Sequence, residues 1–247
     1  NCLGMLRRLL GKRMSSGGSK FPSDFDDRVV RIIERVRAFT MTSPERLHSL
    51  IRAVEYVVRN DIPGDVVECG VWKGGSMMAV ASTLLELGTV DRALYLFDTF
   101  EGMTSPEELD RTFRGDRASD LMATADREQS WIWAVSALDE VKAAMDKVGY
   151  DRDKVVYVQG DVADTLPRSA PPTISLLRLD TDWYKSTWHE LEHLYPRLSV
   201  GGVLIIDDYG HWEGARRAVD EFIEAKGLRL FLSRIDYTGR LAIKLDP

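Results

Sequence analysis

Glu68-Cys69-Gly70-Val71-Trp72-Lys73-Gly74-Gly75-Ser76 follows a short apolar run and opens directly into a helical pattern. A strand that turns sharply under a bound molecule needs residues without a Cβ, so that the backbone can bend and come close. Gly70, Gly74 and Gly75 supply them. The spacing is not the G-x-G-x-x-G of pyrophosphate binders, and it lacks the Lys-Ser/Thr of a P-loop. The loop therefore predicts a cofactor without phosphates. Ser76 is expected at the helix N-cap, and Glu68 at the strand end as an acceptor for a cationic amine or a loop N–H. The bland alternative is a glycine-rich turn with no ligand.

Working outward, short apolar runs alternate with helical segments. Strands are expected around residues 66–69, 93–97, 155–158, 174–179 and 203–206, with helices over 76–87, 134–148, 186–198 and 213–225. Runs buried on both faces, separated by helix-length crossovers, predict an α/β domain with a mostly parallel sheet. Residues 228–233 and 240–245 flank Asp236-Tyr237-Thr238-Gly239 and read as a C-terminal antiparallel hairpin, with Gly239 taking a positive φ. Two helices, 25–39 and 46–59, precede the sheet; the second follows Ser43-Pro44-Glu45, an N-cap with proline in the first turn.

In a parallel sheet ligands bind at the carboxyl edge, so acids at several strand ends converge there. Asp98 ends the second strand, placed to accept from both hydroxyls of a ribose. Asp161, followed by Val162, ends the third and is placed to accept from an exocyclic adenine amine, or else merely to make a turn. The fourth strand runs into Asp180-Thr181-Asp182 and the fifth into Asp207-Asp208. Hard oxygen ligands with neither Cys nor His at the strand tips favour Mg2+ over zinc, with Asp180, Asp207 and Asp208 as the candidate ligands. Asp182 is expected to cap the helix near Lys185 or to join the metal set. His189-Glu190-Leu191-Glu192-His193 matches the H-E-x-x-H spacing of zinc proteases, but it lies on a crossover helix and lacks a third ligand, so we set it aside.

The chain has 247 residues, enough for one α/β domain over 23–247 after a basic tail over 1–22. The tail carries Arg7, Arg8, Lys12, Arg13 and Lys20 without an acid, and its apolar stretch is too broken for a secretory signal. Asp and Glu outnumber Lys and Arg by 39 to 33, which removes the usual electrostatic reason to bind nucleic acid. No stretch approaches the roughly 20 apolar residues of a membrane span. Cys2 and Cys69 are too differently placed to pair, which fits a cytoplasmic setting. The helical region before Asp65 offers a surface for a homodimer.

Five segments together resemble the macrocin O-methyltransferase family: Thr40-Met41-Thr42-Ser43-Pro44-Glu45-Arg46, the loop from Val67 to Ser76, Phe97-Asp98-Thr99-Phe100-Glu101-Gly102-Met103, Leu177 to Tyr184, and Ile206 to Trp212. The resemblance covers roughly residues 35–245. It implies a class I methyltransferase (Rossmann-like) fold, S-adenosylmethionine as cofactor, and Mg2+ on Asp180, Asp207 and Asp208. It also implies that Met41 and Thr42 contribute to the cofactor pocket and that the acceptor is a small glycoside of a natural product, such as an antibiotic. Asp180 is the expected base, with His211 as a rival because an imidazole titrates near neutrality. Catechol O-methyltransferases share the loop and the acids, so a phenolic diol is the alternative acceptor; a non-catalytic cofactor-binding protein is a further alternative, against which the aspartate trio argues. The polar segment 104–130 has the length of a lid. Trp183 and Trp212 either stack on a sugar or pack beneath loops.

Overall fold

The computed structural model describes residues 21–246. Five strands run parallel: β1 (Asp65–Cys69), β2 (Leu94–Asp98), β3 (Val155–Gln159), β4 (Ile174–Leu179) and β5 (Leu198–Ile206). The short β6 (Ser233–Arg234) and β7 (Arg240–Ile243) complete the sheet; β7 is antiparallel to β5 and to β6, in the order β3-β2-β1-β4-β5-β7-β6. The order reverses beside β1, which opens a crevice at the carboxyl edge between β1 and β4. This is the class I methyltransferase architecture that the sequence predicts.

Alternate residues of each strand serve opposite layers. Val66, Leu94, Leu96, Leu176, Val203 and Ile205 belong to one core. Val67, Phe97, Leu177, Leu179, Leu204 and Ile206 belong to the other. That division explains why the strands read as unbroken apolar runs. The first layer holds α1 (Asp27–Val36), α2 (Pro44–Arg59), α3 (Gly75–Glu86) and α5 (Leu138–Asp146). Asp26 caps α1 by accepting from Val29 N–H at 2.9 Å, and Val29, Ile32, Ile33 and Val36 form its buried stripe. The apolar faces of α1 and α2 are thus consumed within the chain, so any dimer surface there lies on other residues. The second layer holds α7 (Tyr184–Leu194) and α8 (Glu213–Lys226). Two short helices remain: α4 (Ala118–Thr124), whose Ala118 and Met122 join a third apolar cluster, and α6 (Val162–Thr165), whose Val162 belongs to the second layer's core.

Several boundaries differ from expectation for identifiable reasons. The α3 N-cap is Gly74 at φ +85, so Ser76 lies inside the first turn and caps nothing. Pro196 cannot continue an α-helix, so α7 gives way to a 3-10 turn over Tyr195–Arg197 and β5 begins at Leu198. Residues 228–233 are not a full strand: Leu228, Leu230 and Leu232 pack against the core that holds Phe222, and only Ser233 and Arg234 pair with β7. The segment 104–130 is folded down rather than open. Its Ala118 and Met122 cluster with Trp183, Trp212 and Ala215, and Trp183 Nε1 donates to Thr104 O at 3.0 Å. Packing is therefore the observed role of Trp183, whereas Trp212, packed in the same cluster, also borders the cavity at the strand ends. Phe21, at the end of the expected tail, is buried in the core beside Phe25; residues 1–20, with Cys2, lie outside the described residues. No helix among the described residues is long and apolar enough to cross a membrane.

Gly239 does not adopt the expected positive φ. The turn is tied instead by Asp236 Oδ1, which accepts from Thr238 N–H at 2.9 Å and Gly239 N–H at 2.7 Å. Glycine is required there by close approach: a Cβ would meet Arg46 Cδ at 2.9 Å and Cγ at 3.0 Å. Gly239→Ala is expected to cost about 1–3 kcal/mol, the range for overpacking, because Arg46 is held by Asp207 and Asp236 and cannot swing away. Urea denaturation reads it, and a cost below about 0.3 kcal/mol would mean that Arg46 is not pinned.

Candidate active site

The strand ends align because the register runs straight through to the loops. Cys69 pairs with Phe97 and Leu179, and Leu179 with Ile206. The ladder continues into the loops: Gly70 N–H donates to Phe97 O at 2.9 Å, Asp180 N–H to Cys69 O at 2.8 Å, and Asp207 N–H to Leu179 O at 2.9 Å. Gly70, at φ +82, lets β1 and β4 meet: a Cβ there would stand 1.9 Å from Asp180 O. Five loops thereby face one cavity of about 370 Å3, within the range of small-molecule sites.

Of the candidate residues, Met41, Thr42, Gly70, Ser76, Asp98, Asp161, Val162, Asp180, Asp207, Asp208 and His211 line that cavity. Glu68 and Gly74 are absent from its wall. Glu68 sits opposite Arg178 in the β1–β4 register and accepts from its guanidinium at 2.5 Å through Oε1; no loop N–H among the described residues donates to it. Gly74 is turned outward toward Val141.

Asp98 binds the glycine loop itself. Its Oδ2 accepts from Val71 N–H at 2.6 Å and Trp72 N–H at 3.0 Å, and its Oδ1 from Phe100 N–H at 2.7 Å. Burial raises its pKa, while these N–H groups pull the other way. Only part of the carboxylate's acceptor capacity is left for a ligand, so Asp98 is first a clamp that shapes the loop. Trp72 and Asp182 take positive φ values of 48° and 66°, and both line the cavity; strain of this kind is held where a site over-determines the backbone. Asp161 caps α6, accepting from Ala163 N–H at 2.9 Å, and still borders the cavity.

Asp180, Asp207 and Asp208 each offer a carboxylate oxygen, all within 4.8 Å of one another. Guanidinium groups already neutralise two of the three. Arg178, buried near the carboxyl end of β4, reaches Asp180 at 2.7 Å and Asp207 at 2.6 Å, besides Glu68 and Thr42 Oγ1 at 3.0 Å. Arg46 pairs with the other oxygen of Asp207 and, at 3.0 Å, with Asp236. Burial opposes the charge of Arg178, but Asp180 and Glu68 more than offset that and raise its pKa. Burial lifts the Glu68 carboxyl to about 7 in spite of Arg178, and its Oε2 is buried without a hydrogen-bond partner.

Asp182 and Asp208 have no ion pair among the described residues. They hydrogen-bond each other, and burial lifts Asp182 to about 7 and Asp208 well above its ordinary range, with repulsion from Asp180 adding to both. Asp182 is therefore not the α7 cap. That role falls to Asp110, which accepts from Tyr184 N–H at 2.8 Å. Uncompensated acids beside three convergent carboxylate oxygens, with no thiolate or imidazole in the set, fit a hard divalent cation. His211 has its Nδ1 3.2 Å from Tyr237 Oη, and its Nε2 is buried without a partner; burial and then Arg46 and Arg114 lower its pKa. His189 and His193 meet edge-on, ring centroids 4.4 Å apart, and among the described residues they form no metal group.

Residues 9–242 match the family described as Macrocin-O-methyltransferase (TylF). The chain belongs to that family. This macrocin-family O-methyltransferase is 38% identical over 202 residues to 8-demethyl-8-(2,3-dimethoxy-alpha-L-rhamnosyl)-tetracenomycin-C 4'-O-methyltransferase of Streptomyces olivaceus, covering 82% of this chain and 74% of the relative. It is 33% identical to mycinamicin III 3''-O-methyltransferase of Micromonospora griseorubida, covering 82% and 77%. Among solved structures, the O-methyltransferase NovP superposes with a TM-score of 0.74 at 33% identity, covering 84% of this chain and 83% of that one. In this family member the site residues that sequence reasoning missed are Arg178, Arg46, Asp236 and Asp110. Arg178 carried a readable signal, since a lone arginine inside Ser175-Leu176-Leu177-Arg178-Leu179 must be buried and so must find acids.

Proposed function

We propose that this O-methyltransferase transfers the methyl group of S-adenosylmethionine to a hydroxyl of a sugar in a glycosylated natural product, with Mg2+ at the aspartate trio. The observation that carries the reading is the meeting, in one cavity, of the glycine loop clamped by Asp98 and the acids Asp180, Asp207 and Asp208. The relatives named for rhamnosyl-tetracenomycin and mycinamicin acceptors support the sugar as substrate class.

Asp180, Asp207 and Asp208 would hold the cation, while Met41, Thr42, Gly70, Ser76, Asp98, Asp161 and Val162 would hold the cofactor. When bound, the cofactor supplies an electrophilic sulfonium methyl group, and the cation a Lewis acid that makes a sugar hydroxyl easier to ionise. The chain's own work is to fix that hydroxyl and take its proton. Asp180 is the favoured base because it stands among the acids at the cavity floor. His211 is the weaker choice: its Nδ1 is engaged by Tyr237 and its pKa is lowered. Arg178 and Arg46 are positioning residues that hold Asp180 and Asp207 in place.

The test follows labelled methyl transfer from S-adenosylmethionine to methyl α-L-rhamnoside, aryl α-L-rhamnosides and catechol, each with Mg2+ and with EDTA. The expected result is labelling of rhamnosides that EDTA reduces at least 100-fold. Chelator-resistant turnover would remove the metal role, and labelling of catechol alone would replace the acceptor class.

A further inference from the structure

Beside the active-site cavity lies a second, outer chamber of about 660 Å3. Trp131, His211 and Tyr237 line both, so these three side chains form the shared border of the two spaces. The outer wall is aromatic and exposed: Phe113, Trp131 and Tyr237 are 52%, 54% and 54% accessible. Large apolar side chains gathered at one exposed place mark a surface that something else covers.

The rings are held, not loose. Phe113 N–H donates to His211 O at 2.8 Å. The Phe113 ring lies 5.9 Å from the imidazole and 6.2 Å from Tyr237; Trp131 meets the same imidazole edge-on at 5.9 Å. His211 is thus the hub of an aromatic cradle whose outer rings stay about half exposed. Two cations border it. Arg114 sits over the Phe113 ring at 5.2 Å, and Arg234 is fixed by the carbonyls of Asp236 and Tyr237 at 2.9 and 3.3 Å. The chamber's carboxylate, Asp116, accepts from Thr112 Oγ1 at 3.2 Å.

We propose that this chamber seats the aglycone of the acceptor, and that it selects a planar aromatic aglycone carrying an acidic oxygen. The proposal rests on the acceptor being a glycoside: a sugar whose hydroxyl reaches the acids can lay its other substituent across the shared border of Trp131, His211 and Tyr237 onto the outer rings. Flat faces that present π-systems favour a planar partner over a saturated one of the same bulk, because offset stacking adds to burial. Guanidinium groups at the rim favour an ionised oxygen.

The test compares 6-carboxy-2-naphthyl α-L-rhamnoside, unsubstituted 2-naphthyl α-L-rhamnoside and the decahydronaphthyl rhamnoside in wild type, Phe113→Ala, Phe113→Leu and Arg114→Gln. Wild type is expected to favour naphthyl over decahydronaphthyl about tenfold in kcat/KM, both Phe113 variants to bring that ratio near one, and Arg114→Gln to remove the advantage of the carboxylated substrate. Phe113 is half exposed, so its variants keep the fold, which unchanged melting confirms. No preference in wild type, or a preference untouched in Phe113→Ala, would overturn the proposal. Calorimetry with the free aglycone 6-carboxy-2-naphthol, in the presence of S-adenosylhomocysteine, separates the two readings. Phe113-dependent binding without methylation of any sugar would overturn the sugar acceptor alone; sugar methylation without Phe113-dependent binding would overturn the aglycone seat alone.

Discussion

Replacing Arg178 with Met is expected to destabilise the protein by about 3–5 kcal/mol and to abolish methyl transfer, the range seen when one partner of a buried ion pair is removed. Arg178 is 3% exposed and holds Glu68, Asp180 and Asp207, of which Glu68 and Asp207 are almost fully buried. Without the guanidinium, three carboxylates at adjacent strand ends face one another in a medium that screens poorly, and each loses charge-assisted hydrogen bonds. Arg178→Lys is expected to recover less than half of the loss, because a single ammonium cannot span acceptors at 2.5, 2.6 and 2.7 Å on three different acids. The control is Glu68→Gln in the Met background. It removes one stranded charge and should restore about 1–2 kcal/mol of stability without restoring activity. Guanidinium denaturation and the label assay read both. A cost below about 1 kcal/mol for Arg178→Met would show that the network relaxes around the hole and that Arg178 does not organise the site.

How much of this was readable beforehand depends on the range of the interaction. The glycine loop, Asp98 and the aspartate trio are local to strand ends, and a parallel sheet carries strand ends to one edge whatever the details of packing. The role of each residue was less legible, because role is set by partners distant in sequence. Ser43 and Arg46 meet Asp236 across about 190 positions, and Asp110 caps a helix 74 residues away. Asp182 looked like a cap because Asp near a helix start commonly is one. Only the fold shows that Asp110 has taken the cap and that Asp182 is pressed against Asp208. The strand expected over 228–233 failed for a similar reason. Alternate leucines make a period of two, but here they cover α8 rather than bond to a neighbouring strand.

The same crowding of acids yields a second large effect, on the pH dependence of stability and its coupling to the metal. Burial raises the folded-state pKa of Glu68 and Asp182 to about 7 and lifts that of Asp208 well above its ordinary value, against ordinary values of 4.5 for Glu68 and 3.8 for the aspartates. The folded state therefore binds protons more tightly than the unfolded chain. Stability must fall as pH rises from about 4 to 7 and level off above the folded pKa values. One such group displaced by about three pH units corresponds to roughly 4 kcal/mol at full effect, an upper figure for a coupled pair, so a net loss of about 2–4 kcal/mol is expected across that window in EDTA. Asp26 and Asp236 act in the opposite sense below pH 4, since their lowered pKa values give stability that is lost on acidification. A divalent cation on Asp180, Asp207 and Asp208 neutralises the charge responsible for part of the decline. Millimolar Mg2+ should therefore raise the melting temperature at pH 8 and do little at pH 5. Asp208→Asn should flatten the profile in EDTA and remove the Mg2+ response together. A Mg2+ stabilisation that is equal at pH 5 and pH 8, or that survives in Asp208→Asn, would place the cation elsewhere and detach the raised carboxyls from metal binding.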